Sequence, residues 1–464
     1  MNPSRYKWEL LALLSCAFFF HQADRALFSV VLIPIQKELG LTDGQMGEIG
    51  SWMFATLAVM VPLAGFLGDR LSRKWIITCS LLFWSCATSV TGMATGLLGL
   101  ILFRSVATGG GESFYAPSAY ALLASHHKTT RSVALSVHQA ALYIGLMCSG
   151  YLAGMVEAAW GWRTVFYLFG GAGVLLGLVF IFRLKDAPKT EAQAGGASVC
   201  LPGRADARPS QSFAPSAQQD CASGGLPGRA DARPSPFAKR ECSAVGAPSV
   251  WASVCVLAKT PSALLATAGF CAVVFVNNAY VFWAPSFVME KFKDSATPMT
   301  LTQAAGGAML YHHLAAFGAI MAGGFLTDWI VASRPRFRLL LQGSALLLGA
   351  PMIYWIGVAD GVTATWLAMA GYGVFRGLFE VNTHASLFDV VPPKYRSTAV
   401  GLMTMTAFIL GTVPPKLIGR FCDLHGKVAG IQQGFTVLAS AYVLGAAAIF
   451  CSMLFTFNRD RVVE

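Results

Sequence analysis

Apolar residues run along this chain in stretches too long for the buried helices of a soluble protein. Runs of 18 or more predominantly apolar positions recur from one end to the other, the pattern of helices that cross a bilayer. They predict twelve spans, at about 8–34, 46–68, 75–95, 97–123, 132–156, 163–183, 262–287, 302–327, 338–358, 363–390, 397–421 and 434–457. The spans form two groups of six, a first bundle over 1–183 and a second over 260–464. The opening MNPSRYKWELLALL has the basic start of a signal peptide, yet no small-residue cleavage site follows, so an uncleaved first span is expected.

Residues 184–259 break the pattern. They are rich in Pro, Ala, Ser, Gly and Arg, and the decamer LPGRADARPS occurs twice, at 201–210 and 226–235. Such a composition buries too little surface to offset ordering entropy, which predicts a disordered tether, with Val250 to Ala258 lying on the membrane surface before span seven. A basic patch against anionic head groups is the other use of such a segment.

Composition supports the membrane reading: 55% of residues are apolar and 12% charged, with a mean hydropathy of +0.57. The net charge of +11 follows from topology rather than nucleic-acid binding. Loops 2–3, 4–5, 8–9 and 10–11 carry Arg70, Arg73, Lys74, Lys128, Arg131, Arg334, Arg336, Arg338, Lys394 and Arg396, and the linker adds nine more basic residues. Basic residues concentrate on the cytoplasmic side of membranes, so both termini and the linker are expected in the cytoplasm of a cell whose inner membrane holds the chain. The eleven cysteines show no C-x-x-C spacing, which argues against a disulfide framework or a zinc site.

Six charges lie within predicted spans: Asp24 and Arg25 in span one, Arg104 and Glu112 in span four, Arg376 and Glu380 in span ten. Each costs roughly 2.5–3.5 kcal/mol at a helix centre if unpaired, on the order of 15–20 kcal/mol together. Three are positive and three negative, so pairing around a wet cavity is expected. Arg376, Glu380 and His384 follow helical i, i+4, i+8 spacing, as do Arg104, Thr108 and Glu112, while His21, Asp24 and Arg25 fall at i, i+3, i+4. Pairing within spans four and ten is one way to satisfy these charges.

The two groups of six repeat one another. GFLGDRLSRK begins at Gly65 and GFLTDWIVASRPR at Gly324, 259 positions on; RSVALSV at 131 matches RSTAVGLM at 396. Parallel duplicated halves with a substrate site between them at mid-membrane are a transporter architecture. GFLGDRLSRK resembles the loop 2–3 motif of the major facilitator superfamily, through Gly65, Asp69, Arg70, Arg73 and Lys74. Ser72 stands where that motif has a second Gly, and Gly324 with Asp328 is its second-half counterpart. The resemblance implies an all-α membrane protein of two six-helix bundles, a gating role for that motif, and a cavity lined by spans one, four, seven and ten. The seventh span supplies Asn277 and Asn278.

Within the superfamily, ADRALF with QKELGLT, GGGES, GWRTVF and FWAPSF resemble the anion:cation symporters, which import sugar acids and other organic anions. That resemblance implies a small anionic substrate whose carboxylate Arg25 binds, beside Asp24 and Arg104, with Glu112 carrying the coupling proton. Arg104, Asn277, Asn278, His138, Arg376, Glu380 and His384 are expected to complete the substrate site, and Asp24 is the other candidate proton carrier. GDRLSRKWIITCSLLFWSCAT and FRSVATGGGES resemble the spinster branch equally, which implies lysolipid export instead. Polar residues at His138, Gln139, Asn278, His312, Asn382 and His384 tilt the expectation toward a hydroxylated anion such as a hexuronate.

The chain is expected to be monomeric, without cofactor, metal or nucleic acid. Glycines at 171–177 and 371–377 follow no strand and serve helix packing, no nucleotide-binding loop occurs, and no nucleophile–base set suggests an enzyme. A membrane nutrient sensor that signals through the basic linker is the remaining class.

Overall fold

A computed structural model describes residues 3–68, 71–127, 130–186, 250–295, 298–331, 334 and 336–462. Most of the expected linker lies outside the described residues, as do Asp69 and Arg70. The stretch before span seven is a helix, Val250–Ala258, which packs against spans seven and eleven.

The helices follow the predicted order. Spans one to three are Pro3–Val30, Asp43–Gly68 and Arg73–Thr91; spans five and six are Arg131–Trp160 and Trp162–Arg183. Spans seven to nine are Pro261–Lys291, Leu301–Val331 and Phe337–Val358. Span four is assembled from Leu97–Leu100, a π-helical stretch Ile101–Thr108, Gly109–Glu112 and Tyr115–His126. Span ten breaks between Val362–Glu380 and Thr383–Phe388, span eleven between Arg396–Leu410 and Val413–His425, and span twelve begins at Lys427–Cys451.

Among the described residues, nine helices are long and apolar enough to cross a membrane by themselves. Spans three, four and ten are not in that set. Span three is diluted by Thr78, Ser80, Ser85, Thr88 and Thr91, all buried in the protein. Spans four and ten carry an Arg and a Glu each and are internally interrupted. Helices that cannot face lipid on their own must be held by neighbours, and these two carry four of the six intramembrane charges.

Packing follows the duplication. Span one lies on five and span three on six; in the second half span seven lies on eleven and span nine on twelve. Across the halves, span two packs on eleven, five on eight, and one on seven. A half-repeat converts two into eight and five into eleven, so these joints are equivalent. Small residues make the joints close. A Cβ on Gly150 would come within 2.5 Å of the Ala305 carbonyl oxygen, and one on Gly154 within 2.6 Å of Thr302.

The joints are concentrated at one end. Lys427 Nζ meets Asp43 Oδ1 at 2.9 Å, Lys416 meets Glu48 at 3.3 Å, and the Gly44 amide donates to Asp423 at 3.0 Å. Around them an apolar core shared by both halves includes Leu27, Val31, Trp162, Trp283 and Phe287. At the opposite end each half is tied internally: Arg183 pairs with Glu9, and Arg338 forks onto both oxygens of Asp389 at 2.9 Å. Large apolar side chains such as Phe182, Phe325 and Phe455 stand outward, more than three-quarters exposed, as lipid contact requires.

Candidate functional site

The six intramembrane charges form three pairs, and two of them join different spans. Arg25 Nε donates to Glu112 Oε2 at 2.8 Å, linking span one to span four. Arg104 of span four turns back to span one, with Nη1 3.4 Å from Asp24 Oδ2 and Nη2 donating to the Asp24 carbonyl at 2.7 Å. Thr88 of span three donates to the same Asp24 oxygen at 2.7 Å.

Arg104 and Glu112 therefore do not pair with each other, and the wide turn of span four supplies the reason. A π turn adds a residue to the helical cycle, which disturbs the i, i+4, i+8 alignment read from the sequence. Thr108 marks the turn by donating to the Phe103 carbonyl at 2.9 Å. Next in sequence come three glycines. At Gly111 an added Cβ would meet the Phe83 ring at 2.8 Å and Trp84 Cβ at 3.0 Å, so span three lies directly against the backbone there. That closeness keeps Glu112 dry.

Access differs sharply between partners. The Glu112 side chain has no exposure and Arg25 retains 25%. Arg104 and Asp24 are both buried. Arg25 is thus the cation of this cluster that a solute can reach, and it is backed by a carboxylate that water cannot. One oxygen each of Asp24 and Glu112 has no hydrogen-bond partner, as expected where charge is balanced by few donors.

The third pair lies within span ten as its spacing predicted, Arg376 Nη2 being 3.1 Å from Glu380 Oε2. Tyr143 of span five donates to that same oxygen across the halves at 3.3 Å. Arg376 also contacts His312 Nε2 at 3.3 Å. His384 does not join the pair: the break at Val381 and Asn382 ends the helical register, and His384 is exposed beside Phe388.

A cavity of about 290 Å³ lies between the halves. Its polar wall holds Arg25, Arg104, Asn277, Asn278, Arg376 and Glu380. Its apolar wall is built by Phe28, Phe54, Phe270, Phe282 and Phe408, with Leu142 and Leu146. Spans one, four, seven and ten contribute as expected, and spans two, five, eight and eleven contribute as well. His138 is not among the lining residues. It is fully buried, stacked on Phe18 at 4.3 Å between ring centres, with Nε2 3.3 Å from the Tyr115 hydroxyl.

Of the loop 2–3 motif, Gly65 lies in span two, and Lys74 donates to the Ile181 carbonyl at 3.0 Å. The Lys74 amide and the Ser72 hydroxyl both hold Asp186, so the motif's described part is tied to span six. Arg73 opens span three. Gly324 and Asp328 lie in span eight. Of His312 and His313, expected as one cavity residue and one packing residue, His313 lines the cavity. Sequence reading missed Thr88 and Tyr143; only the pairing of a polar residue with a charged span could have flagged them, and that is a tertiary fact.

Two bundles joined by equivalent contacts around a charged cavity define a membrane carrier. The chain belongs to the Major Facilitator Superfamily, whose sequence pattern matches residues 14–415. It is 23% identical to "Protein spinster homolog 1" of Bos taurus over 479 residues, covering 98% of this chain and 82% of that one. It is also 23% identical to the "Probable sulfoacetate transporter SauU" of Cupriavidus necator, covering 94% and 93%. A crystal structure of a bacterial homolog of the human lysosomal transporter Spinster, inward-facing and unoccupied, superposes with a TM-score of 0.75 at 18% identity over 99% of both chains. The chain is a multi-pass transporter, not an enzyme.

Proposed function

We propose that the chain moves an amphiphilic organic anion by alternating access of residues 1–183 and 260–464, coupled to a proton. The observation that carries this reading is the two-sided cavity. Arg25 faces it with a wholly shielded Glu112 behind, while five phenylalanines cover much of the remaining wall. A charged head against Arg25 and an apolar tail along the rings would use both surfaces. A spinster relative supports the same direction.

Coupling follows from charge balance. With Asp24 and Glu112 ionised, Arg25 and Arg104 are neutralised and hold an anion weakly. Protonating Glu112 leaves Arg25 without its counter-charge in a low-dielectric site, where an anion is strongly favoured. Proton and substrate then favour one state, which is the thermodynamic requirement for coupled movement. Arg376, Glu380, Asn277 and Asn278 form the second-half wall against which the substrate is held.

The sealed end carries loops 1–2, 5–6, 7–8 and 11–12, and the basic loops lie at the other. With both termini in the cytoplasm of a cell-membrane protein, this arrangement is open inward. The motif from Gly65 to Lys74, with Gly324 and Asp328, then lies at the open end and serves as the inner gate. The carrier works as a monomer.

A second reading, symport of a hydrophilic anion such as a hexuronate, is favoured by the sulfoacetate transporter relative. One assay separates them. Proteoliposomes with an internal pH dye receive either oleoyl lysophosphatidate or a panel of hexuronates, aldonates and sulfonates. Internal acidification or label movement with the lipid alone supports the first reading, and acidification with a small anion alone supports the second. Binding without flux of either would make the chain a sensor.

A further inference from the structure

We infer that Asn277 and His313 form a hydrogen-bond-accepting subsite for a neutral hydroxyl of the transported anion. Both line the cavity from the second half, on spans seven and eight, as Arg25 lines it from the first. His313 is fully buried, and its Nδ1 lies 2.8 Å from the Met309 carbonyl oxygen. A carbonyl only accepts, so Nδ1 carries the proton and Nε2 of the neutral ring carries a lone pair. That Nε2 is shielded from water and has no partner, and the same is true of Asn277 Oδ1.

Two shielded acceptor atoms left unpaired among the lining of one cavity are costly, and a donor arriving with the substrate removes the cost. The neighbouring side chains decide which donor. His312 packs edge-on against His313 with ring centres 4.7 Å apart, and its Nε2 meets the Arg376 guanidinium. A fixed cation that near makes an ammonium the poorer fit, which leaves a hydroxyl. The substrate is thus an anion that also bears a hydroxyl, its charge toward the first half and its donor toward the second. This deepens the proposed function and rests on its cavity being the transport site.

The test is equilibrium binding to the purified full-length chain in nanodiscs. The probes are oleoyl lysophosphatidate, which has a free glycerol hydroxyl, and its analogue with that hydroxyl removed. The wild-type chain should prefer the hydroxylated probe about tenfold, as one hydrogen bond to an otherwise unpaired buried acceptor allows. His313→Leu should weaken that probe alone and bring the two within about twofold, and His313→Gln, which keeps an acceptor, should recover part of the preference. Asn277→Ala, at a half-buried position, reads the same subsite if His313→Leu does not fold. An undiminished preference in the folded variants overturns the subsite.

If the wild-type chain binds neither lipid, the amphiphile reading fails by itself. The comparison then passes to glycerate against propionate. A glycerate preference lost in His313→Leu keeps the subsite with a small substrate, and equal binding of the two acids by wild type overturns it.

Discussion

Arg25 and Glu112 meet at 2.8 Å although 87 positions separate them, and only the arginine reaches the cavity. A carboxylate shielded from water and paired with a cation that is not is suited to hold a proton that the substrate's arrival depends on. Removing its charge should separate binding from coupling. Glu112→Gln keeps the size and one donor–acceptor pair but cannot ionise. Accumulation driven by a pH gradient should vanish while exchange of substrate across the membrane continues. Undiminished gradient-driven uptake would remove Glu112 from the coupling step.

Arg25→Lys preserves the charge and loses the planar fork. Its Nε currently donates to Glu112, and a lysine cannot hold the carboxylate and a substrate oxygen in that geometry. Substrate affinity should fall roughly tenfold, about the value of one charge-assisted hydrogen bond. Isothermal titration of the variant against wild type gives the answer, and equal affinities would place the anion elsewhere.

The sealed end should yield to small changes. Lys427→Ala removes the pair with Asp43, and Gly150→Ala drives a methyl against the Ala305 carbonyl. Both should shift the molecule toward the state open at that end. In a background without the eleven native cysteines, a cysteine introduced at Ser51 should label several-fold faster in either variant. No change in labelling would mean that the apolar core alone holds this end.

Arg338 and Asp389 tie the start of span nine to the end of span ten with two bonds of 2.9 Å. The pair is partly shielded, with about a fifth to a quarter of each side chain exposed. Arg338→Ala should cost about 1 kcal/mol, the upper end for a solvated pair, because Nη1 meets both oxygens in a partly shielded site. A melting curve in detergent should move down by a few degrees. An unchanged midpoint would show that the pair is structurally silent.

Glu38 should contribute to acid sensitivity outside the spans. Trp162 Nε1 donates to its Oε2 at 2.6 Å, and Arg163 pairs with its other oxygen. The Trp162 hydrogen bond foremost, and then Arg163, hold this carboxyl below the usual range. A depressed value stabilises the fold above the ordinary carboxylate pKa of about 4.3, and that contribution is lost as pH falls through the lower folded value. Glu38→Gln should therefore lower stability near neutral pH, where that contribution is present, and converge on wild type in acid, flattening the acid side of the profile. An identical acid limb in the variant would assign it to another group.

The spans, their grouping into two sixes and the duplication were legible along the chain because a bilayer imposes length and apolarity on each helix independently of its neighbours. The presence of a charged interior was legible too, since six charges in such helices have to be compensated. Their partners were not. Arg376 and Glu380 paired as spacing dictates because span ten is regular up to Glu380. Arg104 and Glu112 did not, because a π turn changes the register and span one offers Asp24 and Arg25 across the gap. His138 and His384 looked like cavity residues by polarity alone. One was drawn into an aromatic stack, and the other lies exposed past the break after Glu380. Sequence determined which residues had to be satisfied; only the packing of one helix against another decided by whom.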